Sequence, residues 1–296
     1  MKILLDCLPC MLKQVLEAAR MATDDMDEQE MILADAISIL ANYKSYSCSP
    51  DLAMALHGMV KERTQTADPY RAIKDADIQA ALKLYPHLKD FLKQKQNSLY
   101  WALKLAATGN NIDSAIYQDL DINLCVEQEL KKDFGQCDLP LFEEKLKTAG
   151  TVLIVGDNAG ETVFDRVLAE ALLPLKIIYA ARNEPILNDA TVQDACDSGL
   201  DKCATVISTG CNAPGAILSQ CSDEFLTLFN NADIVISKGQ GNYEALSDCE
   251  REVFFLLKAK CPMVAGRVGV NLNEYVFIRH DGKSRLNGVE NSGKTH

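Results

Sequence analysis

From Thr151 to about Val276, short apolar runs rich in β-branched residues alternate with stretches of helical length, and this alternation constrains the fold more than any other feature. The runs are VLIV, KIIYAA, CATVIS and ADIVIS, and the segments between them end at Leu173, follow Thr191 and centre on Phe225. A run that is apolar throughout is buried on both faces, and parallel neighbours need a crossover helix between them. The expected fold class is therefore α/β, a mostly parallel sheet flanked by helices. No internal repeat or low-complexity linker interrupts the pattern.

The first part of the chain reads differently. Met11, Val15, Ala18 and Ala19 share a helical face, as do Met31, Ile32, Ala36, Ile39 and Leu40. A third helix is expected over Asp51–Arg63, with Ser49 as N-cap and Pro50 in the first helical position. Asp68, Pro69 and Tyr70 then restart the chain into a long mixed segment through Leu99, Trp101 and Leu105. A further helix over Leu139–Ala149 is expected to end on Gly150. The expected organisation is an α-helical N-terminal region or cap over residues 1–110, an α/β core that binds metal and phosphate over 111–280, and a polar tail over 281–296.

Bulk properties exclude some partners. With 30 Lys and Arg against 42 Asp and Glu, the net charge is -12, which disfavours nucleic acid. No run of about 18 apolar residues is present and Asp6 interrupts the short apolar start, so neither a membrane span nor a signal peptide is expected. The expected location is cytoplasmic. Eleven cysteines scattered through apolar segments read as buried thiols, not as a disulfide framework.

In an open α/β sheet, ligands bind beyond the carboxyl ends of the strands. The first such end reads TVLIVGDNAGE: five strand residues, Gly156, then Asp157 and Asn158, then Glu161 opening a helix. Taken alone it fits an ordinary capped turn as well as a metal site. Three further ends are equally polar. They carry Arg182, Asn183, Glu184 and Asp189; Ser208, Thr209 and Gly210; and Lys238 with the glycines of SKGQGNYE. Asp157, Asn158 and Asp189 together offer two carboxylates and an amide oxygen, a set suited to a hard divalent cation, while the scarcity of His and Cys in these loops disfavours zinc. Lys238 and the backbone N–H groups of Gly239 to Asn242 read as a phosphate cradle.

These motifs, GDNAGE, NEPILNDAT and SKGQGNYE, with an early Cys-x-x-Cys, DPY and GNNID, resemble those of the damage-control phosphatase family, formerly domain of unknown function eighty-nine. The cysteine pair resembles its prokaryotic subfamily. The resemblance runs from Cys7 to about Val270 and implies a helical N-terminal region on an α/β core. It also implies metal-dependent removal of phosphate from small phosphorylated metabolites such as sugar phosphates, with Mn2+, Mg2+, Co2+ or Ni2+ as cofactor. It places the metal ligands, and hence the catalytic residues, on Asp157, Asn158 and Asp189. Substrate contacts fall on Glu161, Lys238, Gly241, Asn242, Tyr243 and Lys258. One departure is Glu244, where eukaryotic relatives active on sugar phosphates carry an arginine.

Competing readings are a carboxyl methyltransferase, loosely imitated by VLIVGDNAGE, and a non-catalytic binder of sugar phosphates or nucleotides. The methyltransferase reading lacks the glycines a nucleotide loop would need. Cys7 and Cys10 open a helix outside any βαβ unit, so helix packing is favoured over thioredoxin-like chemistry. His57 and His87 join no constellation, and no catalytic histidine is expected.

Overall fold

The computed structural model describes residues 1–109 and 122–282. In chain order its helices and strands are α1 (Cys7–Ala22), α2 (Met26–Ala41), α3 (Ser49–Thr64), α4 (Arg71–Lys93), α5 (Ser98–Thr108), α6 (Ile122–Leu130), β1 (Phe134–Cys137), α7 (Leu139–Leu146), β2 (Thr151–Val155), α8 (Thr162–Ala171), β3 (Lys176–Ala181), α9 (Val192–Asp197), β4 (Thr205–Ser208), α10 (Asp223–Asn231), β5 (Ile234–Lys238), α11 (Gly239–Leu246), β6 (Val253–Lys258), α12 (Pro262–Val268) and β7 (Tyr275–His280). The strands form one seven-stranded sheet in the order β1-β7-β6-β5-β2-β3-β4, parallel except where β7 runs against β6. The fold is α/β, as the alternation requires.

Period-two alternation sends successive strand residues to opposite faces. Val152, Ile154, Ile234, Ile236, Phe254 and Leu256 meet Ala102, Leu103 and Ala106 of α5, Phe142 of α7 and Leu168 of α8. Leu153, Val155, Val235, Phe255 and Leu257 meet Phe225 and Phe229 of α10, Leu246 of α11 and Val264 of α12. Helices α1 to α3 gather around their own cluster, which includes Val15, Ile32, Ala36, Leu52 and Leu56. Helices α4 and α5 pack on α8, and α3 packs on α11, so the N-terminal helices reach the loops at the strand ends.

Several local expectations are corrected. Ser49 is the first residue of α3 with Cys48 before it, and its hydroxyl turns to Cys7 Sγ at 3.7 Å instead of capping. Helix α7 closes at Leu146, and Gly150 donates its N–H to Asp233 Oδ2 at 2.8 Å. The segment read as one mixture after Tyr70 is two helices, α4 and α5, separated by a turn in which the Asn97 side chain caps α5. No helix among the described residues is long and apolar enough to cross a membrane.

His57 of α3 is buried, edge-on to Tyr70 at 6.4 Å between ring centroids. Burial, with Lys61 adding to it, brings its pKa down to about 4. The unfolded chain then takes up a proton near pH 6.5 that the folded chain refuses until about pH 4. Stability is full above pH 6.5 and is lost as pH falls through this window, by about 3 kcal/mol in all. Urea unfolding of His57→Gln at a series of pH values should lack this part of the slope.

Candidate active site

Strand β2 lies between β3 and β5. The chain leaves β2 toward β3 and β4 and later returns on the other side as β5, so the crevice between the ends of β2 and β5 is a topological switch point. Asp157 and Asn158 follow β2, and Gly239 follows β5. Gly156 ends β2 because a Cβ there would overlap the Tyr179 side chain, whose hydroxyl donates to Asp165 Oδ2 at 2.9 Å.

The loop after β3 is fastened across this crevice. Ala190 N–H donates to Asp157 O at 2.7 Å, Ala159 N–H to Asn188 O at 2.8 Å, and Asn158 and Asp189 form a short antiparallel bridge. Arg182, 1% exposed, donates from Nε to Asp189 Oδ2 at 2.7 Å and places Nη2 4.0 Å from Asp157 Oδ1. Asn158 donates its amide N–H to Glu161 Oε1 at 3.0 Å, which leaves its amide oxygen for another partner.

Asp157, Asn158, Asp189 and Gly241 line one cavity of about 300 Å³. The other residues singled out in the sequence lie behind or beside it. Lys238 Nζ is wholly buried among Glu161 Oε2 at 2.8 Å, Asp165 Oδ1 at 2.6 Å and Ala106 O at 3.0 Å. Asn242 ties the β2 and β5 ends together, donating to Gly156 O at 2.8 Å and to Lys238 O at 2.7 Å, and accepting from Ala216 N–H at 2.9 Å. Tyr243 is buried edge-on against Phe255, with ring centroids 5.0 Å apart. Lys258 Nζ lies 3.4 Å from Glu129 Oε2 and above the Tyr275 ring. Gln240, Glu244, Ser49, Cys7 and Cys10 also line the cavity, together with Lys260 and Cys261, to which the motif reading gave no role. The signal for Lys260 was its place just beyond the end of β6, where the strand-end rule directs attention. Asp68 of the DPY motif pairs with buried Lys74 at 2.8 Å, while Asn110, Asn111 and Asp113 of GNNID lie outside the described residues.

Charge explains what the carboxylates want. Burial first, then Glu161 and Asp189, push the Asp157 carboxyl well above the usual aspartate value against the pull of Arg182 and Lys260. Burial likewise raises Asp189 although Arg182 opposes it. Deeper in, burial takes Asp165 up to about 6 in spite of Lys238. Burial works against the Lys238 ammonium, but Asp165 and Glu161 outweigh it and hold its pKa above the ordinary lysine value. Among the described residues no three His, Cys, Asp or Glu side chains form a ready metal cage. The donors at the cavity are instead two crowded carboxylates and an amide oxygen, and this set fits a hard divalent cation that keeps water ligands.

Gly239 has φ +76°, and a Cβ there would overlap the Asp157 carboxylate. Gly239→Ala is therefore expected to cost about 1–3 kcal/mol in urea unfolding and to move Asp157 off its position. A crystal structure of the variant checks the second effect as a displaced Asp157 carboxylate.

The model of the Damage-control phosphatase ARMT1-like domain matches residues 3–276. The chain belongs to this family. It is 36% identical over 286 residues to a damage-control phosphatase of Pyrococcus horikoshii, with 95% of this chain and 99% of that one covered. It is 32% identical over 287 residues to a damage-control phosphatase of Archaeoglobus fulgidus, covering 93% and 98%. A crystal structure of a duf89 family protein from Pyrococcus horikoshii superposes with a TM-score of 0.87 at 34% identity, over 94% of this chain and 99% of that one. Family membership agrees with the resemblance drawn from GDNAGE, NEPILNDAT and SKGQGNYE.

Proposed function

We propose that the chain is a metal-dependent phosphatase that hydrolyses phosphomonoesters of small metabolites such as sugar phosphates, in a damage-control role. The observation that carries this reading is the convergence of Asp157, Asn158 and Asp189 on one cavity whose lining also includes Lys260. Relatives named damage-control phosphatase support it.

Asp157, Asn158 and Asp189 would hold the cation, Mn2+, Mg2+, Co2+ or Ni2+. When bound, such an ion supplies positive charge to the phosphate oxygens and acidifies a water. Arg182 fixes Oδ2 of Asp189, so that the carboxylate is held before any ligand arrives. Lys238 neutralises Glu161 and Asp165 behind the site and keeps Glu161 in place against Asn158. Lys260 supplies an ammonium to the transferring phosphoryl group, and the start of α11 presents Gln240 and Gly241 to the same cavity. Asp157 either holds the cation alone or also attacks phosphorus, two routes that trapping of an aspartyl-phosphate separates.

The test is phosphate release from a panel of phosphorylated metabolites with each of the four cations. Turnover should appear with the metal and vanish with chelator. Methyl transfer without phosphate release, or binding without turnover, overturns the reading.

A further inference from the structure

The segment from Arg182 to Thr191, which carries Asp189 to the cavity, is built of turns and isolated bridges, so its shape is set by what it touches. Helix α4, from the N-terminal region, backs it. Ile78 of α4 packs with Ala159 and Ala190, the residues that follow Asn158 and Asp189. Next to it, a Cβ on Gly160 would lie 2.9 Å from the Asp77 Cβ, too close for contact. One turn earlier on the same helix stands Lys74, wholly buried.

Lys74 Nζ donates to Asp194 Oδ2 at 2.9 Å and lies 2.8 Å from Asp68 Oδ2. Asp194 leads back to the site. It is wholly buried in the first turn of α9, and its Oδ2 accepts from the Thr191 N–H at 2.9 Å and from the Thr191 hydroxyl at 2.8 Å. Thr191 follows Asp189 by two residues and is bridged to Arg182, whose N–H donates to Ala190 O at 2.8 Å. Lys74 to Asp194 and Asp194 to Thr191 are thus the only steps between the ammonium and the strip of backbone that bears Asp189. Arg71 also reaches Asp194, at 2.9 Å from Oδ1, but its side chain is 42% exposed and shared with Asp75. Water screens that pair, whereas the pair made by Lys74 is shielded from it.

We propose that Lys74 is a positioning residue of the cation site: as the buried counter-ion of Asp194 it fixes the turn that presents Asp189, so that a residue of the N-terminal helical region sets how tightly the core binds its metal. This rests on the reading that Asp157, Asn158 and Asp189 hold a divalent cation. Groups that hold metal ligands from behind contribute about 10–100-fold in affinity. Without the ammonium, the Asp194 carboxylate is left in the interior with Arg71 alone, and the turn shifts to bring it toward water. Thr191 and the backbone of Asp189 move with that turn.

The experiment is Mn2+ binding, by isothermal titration calorimetry, to the full chain and to three variants whose folding is checked by circular dichroism. Lys74→Met and Asp194→Asn should each bind Mn2+ about 10–100-fold more weakly than the unsubstituted chain. Asp68→Asn removes the lysine's other partner and lowers stability in urea, yet keeps the link to Asp194, and should bind Mn2+ as tightly as the unsubstituted chain. Asp194→Asn leaves Lys74 paired with Asp68, so it carries the test where Lys74→Met fails to fold. Unchanged affinity in Asp194→Asn overturns the proposal and leaves Lys74 as an ion pair that serves stability alone. A loss in Asp68→Asn equal to that in Asp194→Asn also overturns it, because it marks a general loosening. Absence of Mn2+ binding in the unsubstituted chain is a separate result, which overturns the cation reading and the proposal with it. The readout is independent of phosphate release.

Discussion

Asp157→Asn is expected to lower metal-dependent phosphate release by about 10³-fold, because loss of one charged ligand removes several kcal/mol of transition-state stabilisation. The same change is expected to leave the metal-free fold as stable as before at pH 7, or more stable. The folded-state pKa of Asp157 lies well above the unfolded value, through burial and then through Glu161 and Asp189. Its carboxyl therefore favours folding only below the unfolded pKa, and that contribution is lost as pH rises through the folded pKa. An amide of the same shape escapes the loss. Asp189→Asn should lose activity to a similar degree and, because burial raises the Asp189 carboxyl too, should likewise keep its stability at pH 7. Steady-state phosphate release and urea unfolding of the two variants, each with and without Mn2+, separate the effects.

Lys238→Met is expected to destabilise the protein by about 3–5 kcal/mol, the cost of leaving buried carboxylates without their cation. Glu161 and Asp165 both lie on its ammonium, and neither has more than 1% of its side chain exposed. A lysine that touched only substrate would behave differently, raising KM with little change in stability. Chemical denaturation of the variant, read beside its kcat and KM, distinguishes an internal counter-ion from a phosphate contact.

The strand alternation and its polar ends were enough to locate the crevice, because burial on both faces writes itself into VLIV, KIIYAA and ADIVIS. The motifs place Lys238 and Lys258 on substrate, and the period-two rule bears on the same two side chains. In β5, Lys238 shares a face with Ile234 and Ile236, and in β6, Lys258 shares one with Phe254 and Leu256; helices α5 and α8 cover that face. Period two thus sends both side chains toward the covered face, and leaves the cavity to Lys260, which lies past the strand. Strand β1 escaped notice because FGQC is four residues long, carries no β-branched residue and lies at the sheet edge. Glu161 reads from the motifs as a substrate contact at a helix start, and its burial depends on Lys238, 77 residues later. Long-range pairings of this kind leave no local periodicity.

The central claim is that Asp157, Asn158 and Asp189 hold a divalent cation. Crystals grown or soaked with Mn2+ and recorded above and below the manganese absorption edge test it most directly. The account predicts one strong anomalous peak within about 2.0–2.3 Å of oxygens from these three side chains, absent from crystals of Asp157→Asn. A cavity without manganese under saturating Mn2+, or a peak held by other residues, would contradict it.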